Sequence, residues 1–321
     1  MAKTRNIVVI SGGVGAARLL RGLIDVVSGS SITAIVNVAD DLELHGLSIS
    51  PDLDTVMYTL ADAIDPDRGW GLRDETWNAM ETLGRYGDRH WFSLGDRDLG
   101  THMHRSAMLE EGATLTDATD ALRKAWDIEV NILPVTNDRV STRVTRADTG
   151  ENISFQEYFV GLQHAVPVAS VAFDGIEQAR PSSEVSKALE DADVLIIAPS
   201  NPLVSIAPVL EIPGVAKAIE ASTASKVALS PIVGGNALKG PAADMLISLG
   251  HRCDAAGIAA LWEPYIDVLL IDDADASLAH DVANEGVVPF VTDTIMQGTT
   301  RRAAVARSTL TAADLSIGGL Q

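Results

Sequence analysis

Asp40, Asp41, Asp52 and Asp54 place four carboxylates within fifteen residues, with His45 between them, at the end of the apolar run from Ile32 to Val38. Clustered negative charge is costly to build without a counter-ion. At the end of a strand, such carboxylates suit an oxygen-seeking divalent cation. Mg²⁺ takes one or two protein carboxylates and fills its other positions with water and phosphate oxygens.

A second chemical feature is Gly12-Gly13-Val14-Gly15-Ala16-Ala17-Arg18, directly after the strand-like Ile7 to Ile10 and at the head of a helical pattern. A glycine-rich turn in that setting offers backbone amides to phosphate. A dinucleotide fingerprint would want Gly where Arg18 stands and an acidic residue where Asn37 stands. A Gly-Lys-Ser/Thr sequence is absent there too, so a Walker-type loop is excluded. Arg18 supplies a fixed positive charge for phosphate or a neighbouring carboxylate.

Three further segments carry polar groups after apolar runs. In Leu94 to Arg105, a helix starting near Asp98 sets Thr101, His102 and Arg105 on one polar face. His102 and His104 point apart on that helix and do not form a zinc pair. Pro199 to Ser205 is a stiff loop offering Ser200, Asn201 and Ser205. Ser230 to Gly240 repeats the pattern and adds Lys239.

The elements that position these groups alternate along the chain. Strand 6–11, a helix from Ala16 to Val27 and strand 32–38 make a first β-α-β unit. Helical patterns recur at 53–64, 73–86, 98–111 and 116–126, with an apolar strand near Trp91 to Leu94. Residues 139–160 read as an inserted antiparallel hairpin around the Asp148-Thr149-Gly150 turn. Strand-like runs at Val168 to Phe173, Val194 to Ala198, Val227 to Ser230, Val268 to Asp272 and Val287 to Val291 follow, mostly separated by helices. The pattern predicts an α/β fold: a Rossmann-like, doubly wound, mostly parallel sheet with an inserted hairpin and helical elaboration, its ligands at the carboxyl edge. No linker or repeat divides the chain, so residues 1–321 are expected to form one domain.

Composition narrows the ligands. Twenty-four Lys plus Arg against 44 Asp plus Glu give a formal charge of −20, which disfavours nucleic acid and anionic membranes as partners. An anionic ligand must therefore meet a local positive site. The single Cys253 excludes an internal disulfide and a cysteine-built metal site. The chain enters its first strand without a signal-like apolar region, and no run is long enough to span a membrane. A cytoplasmic protein is expected.

Taken together, the Gly-Gly-x-Gly turn at 12–15, Asn37 to Asp41, His45-Gly46, Ser50 to Asp54, Leu94 to Asp98, Pro199 to Pro202 and Ser230 to Ile232 resemble the 2-phospho-L-lactate transferase family (CofD/FbiA type). The stretch Asp65 to Trp77 is most similar to its actinobacterial branch. Ala16 departs from relatives that carry a fourth glycine there. The resemblance implies a homodimeric, Mg²⁺-dependent transferase of coenzyme F420 biosynthesis. It would move a phospholactyl or phosphoenolpyruvyl group from a guanosine-diphosphate conjugate to the deazaflavin Fo, releasing GMP. By motif position, Asp52, with Asp41 and Asp54, is the expected metal set, and Gly12, Gly13, Gly15, Asn37, His45, Ser200, Asn201 and Lys239 are the expected substrate contacts. Arg18 would stabilise charge, and Asp96 or Asp98 would receive the attacking proton. The leading alternative is a regulatory nucleotide-sugar-binding protein of the same superfamily, which would need no metal-type carboxylates. Arg18 and Asn37 argue against an NAD-dependent oxidoreductase, and the lack of a Gly-x-Ser-x-Gly elbow argues against a serine hydrolase.

Overall fold

The computed structural model describes residues 5–87 and 91–318. Seven strands form the central sheet: β1 (Ile7–Ser11), β2 (Ile32–Val36), β3 (Asn131–Pro134), β4 (Val194–Ile197), β5 (Ser225–Leu229), β6 (Val268–Ile271) and β7 (Val288–Val291). All pair in parallel, in the spatial order β3-β2-β1-β4-β5-β6-β7. This is the doubly wound order, with the direction in which strands are added reversing between β1 and β4. The inner strands read as unbroken apolar runs because helices cover both faces. Every residue of β1, β4 and β6 is buried. Among the described residues no single helix is long and apolar enough to cross a membrane.

Two readings of the sequence need correction. The segment Val168–Asp174 lies outside the central sheet. It pairs antiparallel with Ser141–Arg146, which also pairs with Asn152–Ser154. Its exposed and half-buried positions mark a strand covered on one face only, whereas a central strand would be buried throughout. The place in the central sheet is taken by β3, four residues long and ending in proline. Trp91 to Leu94 is not a strand either. Its ring pair, Trp91 and Phe92, packs edge to face at 5.9 Å beside the cavity described below.

Three helices carry the site. α1 (Val14–Leu23) follows β1, α2 (Pro51–Leu60) follows a short hairpin of Leu42–Leu44 with Leu47–Ile49, and α3 (Asp98–Glu110) packs against that hairpin. Helix α2 starts with Ser50 at its N-cap and Pro51 in its first turn, where proline's missing N–H costs nothing. Leu53, Val56, Met57 and Leu60 bury one side of α2 in the main core. Helix α3 buries an unusual face: Asp98, Thr101, His102 and Arg105 all point inward. The polar face predicted for this helix therefore exists, and it is turned to the protein interior.

Candidate active site

A cavity of about 570 Å³ opens at the carboxyl ends of the strands, beyond the neighbouring β1 and β4 where the strand order reverses. Its floor is the start of α1. Glycine is required there by close approach. A Cβ on Gly15 would lie 2.1 Å from the Pro199 carbonyl oxygen, and one on Gly13 would lie 2.8 Å from Asp52 Oδ1. Gly12 sits beneath, against Ser205, and does not line the cavity. No side chain caps α1 and no acidic residue stands in its first turn. The amides and the positive end of the helix dipole are thus presented to the cavity.

Cationic groups gather beside this floor. Arg18 and Lys239 both line the cavity. Burial, then the Arg18 charge, lowers the Lys239 pKa from its usual range. Lys239 Nζ donates to the Arg68 carbonyl at 3.0 Å, tying the 230–240 loop to the 65–77 loop. The Arg68 guanidinium lies 5.5 Å from the Trp70 ring centre and 5.3 Å from that of Trp77. An anion at the head of α1 would meet charge and amides together.

The carboxylates line the same cavity in two differently treated pairs, with Asp52 against Gly13 of the floor. Asp40 and Asp52 face the cavity. Asp40 is 5 % exposed and its Oδ1 has no hydrogen-bond partner. Burial, then the neighbouring Asp52 charge, pushes the Asp40 carboxyl well above its usual range. Burial also pushes Asp52 up to about 6, against the opposing hydrogen bond from Asn37. That bond runs from Asn37 Nδ2 to Asp52 Oδ2 at 3.0 Å. Asn37 also reaches the Val204 carbonyl at 3.4 Å and accepts from the Ala39 amide, so it acts through Asp52 and does not itself line the cavity.

The second pair, Asp54 and Asp98, also lines the cavity but is compensated. Asp54 receives both terminal nitrogens of Arg105, which is fully buried. Asp98 accepts from the Tyr58 hydroxyl at 2.6 Å and lies 3.2 Å from His102 Nε2. Burial raises the Asp98 pKa, but the His102 hydrogen bond and charge, with Tyr58 and Arg105, outweigh it and leave the group below its usual range.

Several residues expected at the site lie elsewhere. Asp41 does not line the cavity; its Oδ2 accepts from Ser50 Oγ at 2.6 Å. The inward carboxylate is its neighbour Asp40. Asp96 is also outside the lining. Its oxygens take the Thr76 hydroxyl, the Asn78 and Ala79 amides and the Asn78 side chain, all at 2.6–3.0 Å. Asp96 therefore anchors the start of the helix Asn78–Arg85. His45 sits at positive φ in the exposed turn of the short hairpin, away from the cavity. Ser200 and Asn201 do line it, and the buried Ser200 Oγ has no partner.

The remaining wall is aromatic and lies outside the motifs read from the sequence. Phe155 and Phe159 stack with ring centres 5.5 Å apart and planes within 4°, and His164 stacks behind Phe159 at 5.8 Å. Their spacing of four residues was a readable sign of a shared face. Gln156 donates to the Asp40 carbonyl at 3.1 Å, linking this wall to the acidic pair.

Fold and site together define a Rossmann-like protein whose switch-point cleft combines an anion-ready helix start, an uncompensated carboxylate pair and a flat apolar wall. The chain matches the model of the family described as 2-phospho-L-lactate transferase CofD over residues 7–310, and it belongs to that family. It is 41% identical over 313 residues to a phosphoenolpyruvate transferase from Streptomyces coelicolor, covering 96% of this chain and 98% of that protein. Against a phosphoenolpyruvate transferase from Mycobacterium avium it is 42% identical over 317 residues, covering 90% and 94%. In structure it is similar to a UPF0052 family protein from Bacillus halodurans, with a TM-score of 0.68, 21% identity, and 97% of this chain and 100% of that one covered. That likeness speaks to the fold. The chain is a transferase of the 2-phospho-L-lactate transferase type.

Proposed function

We propose that this transferase acts in coenzyme F420 biosynthesis, moving the phosphoenolpyruvyl group of a guanosine-diphosphate conjugate to the terminal ribityl hydroxyl of Fo and releasing GMP. The names of the relatives at 40–42% identity favour the enolpyruvyl over the lactyl donor. The observation that carries the reading is the Asp40–Asp52 pair lining one cavity with the bare start of α1, with Asp52 beside Gly13.

Among the described residues no group of three potential metal-binding side chains comes together. Mg²⁺ needs only one or two protein carboxylates when phosphate oxygens and water supply the rest. The pair fits such an ion, because Asp40 Oδ1 is buried without a partner and burial, then the adjacent Asp52 charge, makes ionising Asp40 costly. Asp40 and Asp52 are thus the residues that would hold it, in place of an Asp41/Asp52/Asp54 set. When bound, the ion supplies charge neutralisation to phosphate oxygens.

The chain's own residues take the following roles. The amides of Gly13 to Gly15, with Arg18 and Lys239, hold the diphosphate and absorb charge that builds on the leaving phosphate. Ser200 and Asn201 offer neutral hydrogen bonds to the nucleoside. Phe155, Phe159, Trp91 and Phe92 give the planar deazaflavin an apolar wall, orienting its side chain toward the phosphorus. The attacking hydroxyl forms the new P–O bond while the bond to GMP breaks. Asp98, held ionised at the wall, accepts the hydroxyl proton. No protein nucleophile is needed.

The test is product analysis by mass spectrometry with Fo, Mg²⁺ and each conjugate in turn, beside a metal-free control. The expected result is metal-dependent formation of the dehydro phosphodiester of Fo with GMP. Absence of product from both donors would overturn the reading.

A further inference from the structure

Behind the Asp98 carboxylate runs a buried polar chain that the reaction as described does not require. His102 Nε2 faces Asp98 Oδ2 at 3.2 Å, and its Nδ1 lies 3.4 Å from Arg105 Nη1. Asp54 Oδ2 is 3.7 Å from the same Nδ1, beyond hydrogen-bond reach. Arginine has donors only and stays charged in proteins, so Nδ1 must be the accepting nitrogen. The ring proton therefore sits on Nε2, a buried atom that has Asp98 Oδ2 at 3.2 Å but no aligned hydrogen-bond acceptor. Arg105 is fixed in turn by Asp54, and by the Ser48 carbonyl at 3.4 Å.

His102 and Arg105 are 1% and 0% exposed. Burying such a chain of charges is seldom a gain in stability, since apolar side chains of similar volume would serve the packing equally well. Its two ends, Asp54 and Asp98, open on the cavity. Tyr58, on α2, completes the grip on Asp98 by donating to Oδ1.

We propose that His102 is a positioning residue for the transfer: held by Arg105 with its proton on Nε2, it sets that N–H beside Asp98 Oδ2 and so holds the carboxylate in place as the acceptor of the attacking hydroxyl's proton. This rests on the transfer reaction proposed above. The hydroxyl oxygen bonds to phosphorus and its proton passes to Asp98. The electron pair of the broken P–O bond leaves with GMP, and Asp98 later returns the proton to solvent.

Two variants separate positioning from packing. In His102→Gln the amide nitrogen can reach the place of Nε2, whereas in His102→Asn it reaches only the place of Nδ1. Steady-state transfer to Fo, thermal melting and histidine ¹⁵N NMR of the wild-type protein are measured together, the His102 signal being the one lost in His102→Gln. The Gln variant should keep kcat within about tenfold, and the Asn variant should lose about 10²-fold in kcat with KM for both substrates unchanged. The NMR signal should report an Nε2–H tautomer. Equal kcat losses in two folded variants, or an Nδ1–H tautomer, would overturn the proposal. A wild-type protein that makes no product would instead overturn the transfer reading, and the tautomer measurement would still decide the geometry of His102.

Discussion

Two pairs of aspartates share one cavity wall and are treated in opposite ways. Asp54 and Asp98 are enclosed by Arg105, His102 and Tyr58, while Asp40 and Asp52 receive from the side chains around them little beyond the Asn37 amide. A compensated buried charge becomes strongly destabilising when its partner is removed; an uncompensated one is destabilising as it stands. Asp54 therefore belongs to the folded framework, which also holds Asp98 at the cavity, while Asp40 and Asp52 remain without a balancing cation among the described residues. The largest effect should come from breaking the second pair. Asp52→Asn should lower turnover below about 10⁻⁴ of wild type, since it removes a charge that the reaction uses while relieving one the fold resists. A thermal melt should show no loss of stability in that variant, and near-normal turnover would refute the assignment.

Breaking the first pair should do the reverse. Arg105→Met leaves Asp54 buried without its cation, which should cost roughly 3–5 kcal/mol of stability. Chemical denaturation would measure it, and an unchanged midpoint and slope would show that Asp54 is not held as described. Within the same pair the comparison sharpens at Asp98. Asp98→Asn should lower kcat by about 10²-fold at nearly constant KM. Asp96→Asn, two residues earlier, should leave kcat/KM within about twofold, because Asp96 binds the helix Asn78–Arg85 and not the substrate. A steady-state comparison of the two variants reads this directly.

The same contrast marks what the sequence could and could not reveal. The strands β1, β4 and β6 were legible because unbroken β-branched and leucine runs suit a sheet covered on both faces. β3 was not, being four residues with a terminal proline, and Val168–Asp174 was misplaced because a short run does not declare its partner. The glycine turn was legible as an uncapped helix start, since strand, glycines and helix follow one another directly. The choice between Asp40 and Asp41 was not, because it depends on which of two adjacent side chains meets the cavity. Nor was the loss of Asp54 to Arg105, which lies 51 residues away. Asp96 looked reactive for a similar reason: the donors that occupy it come from residues 76–79 and meet it only in three dimensions.

The smallest effect expected is a pH dependence of stability in the metal-free protein, and it bears directly on the uncompensated pair. Asp52 holds its proton up to about pH 6 in the folded chain, against a value of 3.8 for an unperturbed aspartate. Between those values the folded state binds more protons than the unfolded state, so stability must fall as pH rises through the window. Asp40, also raised by burial and by Asp52, adds to the fall in the same direction. Melting curves without added metal should therefore shift down by a few degrees from pH 4.5 to pH 7. Millimolar Mg²⁺ should recover the loss at pH 7 and have little effect at pH 4.5, where the carboxyls are protonated and bind no cation. In Asp52→Asn both the fall and the recovery should shrink. A Mg²⁺ response of equal size at the two pH values would mean that the ion acts elsewhere than on this pair.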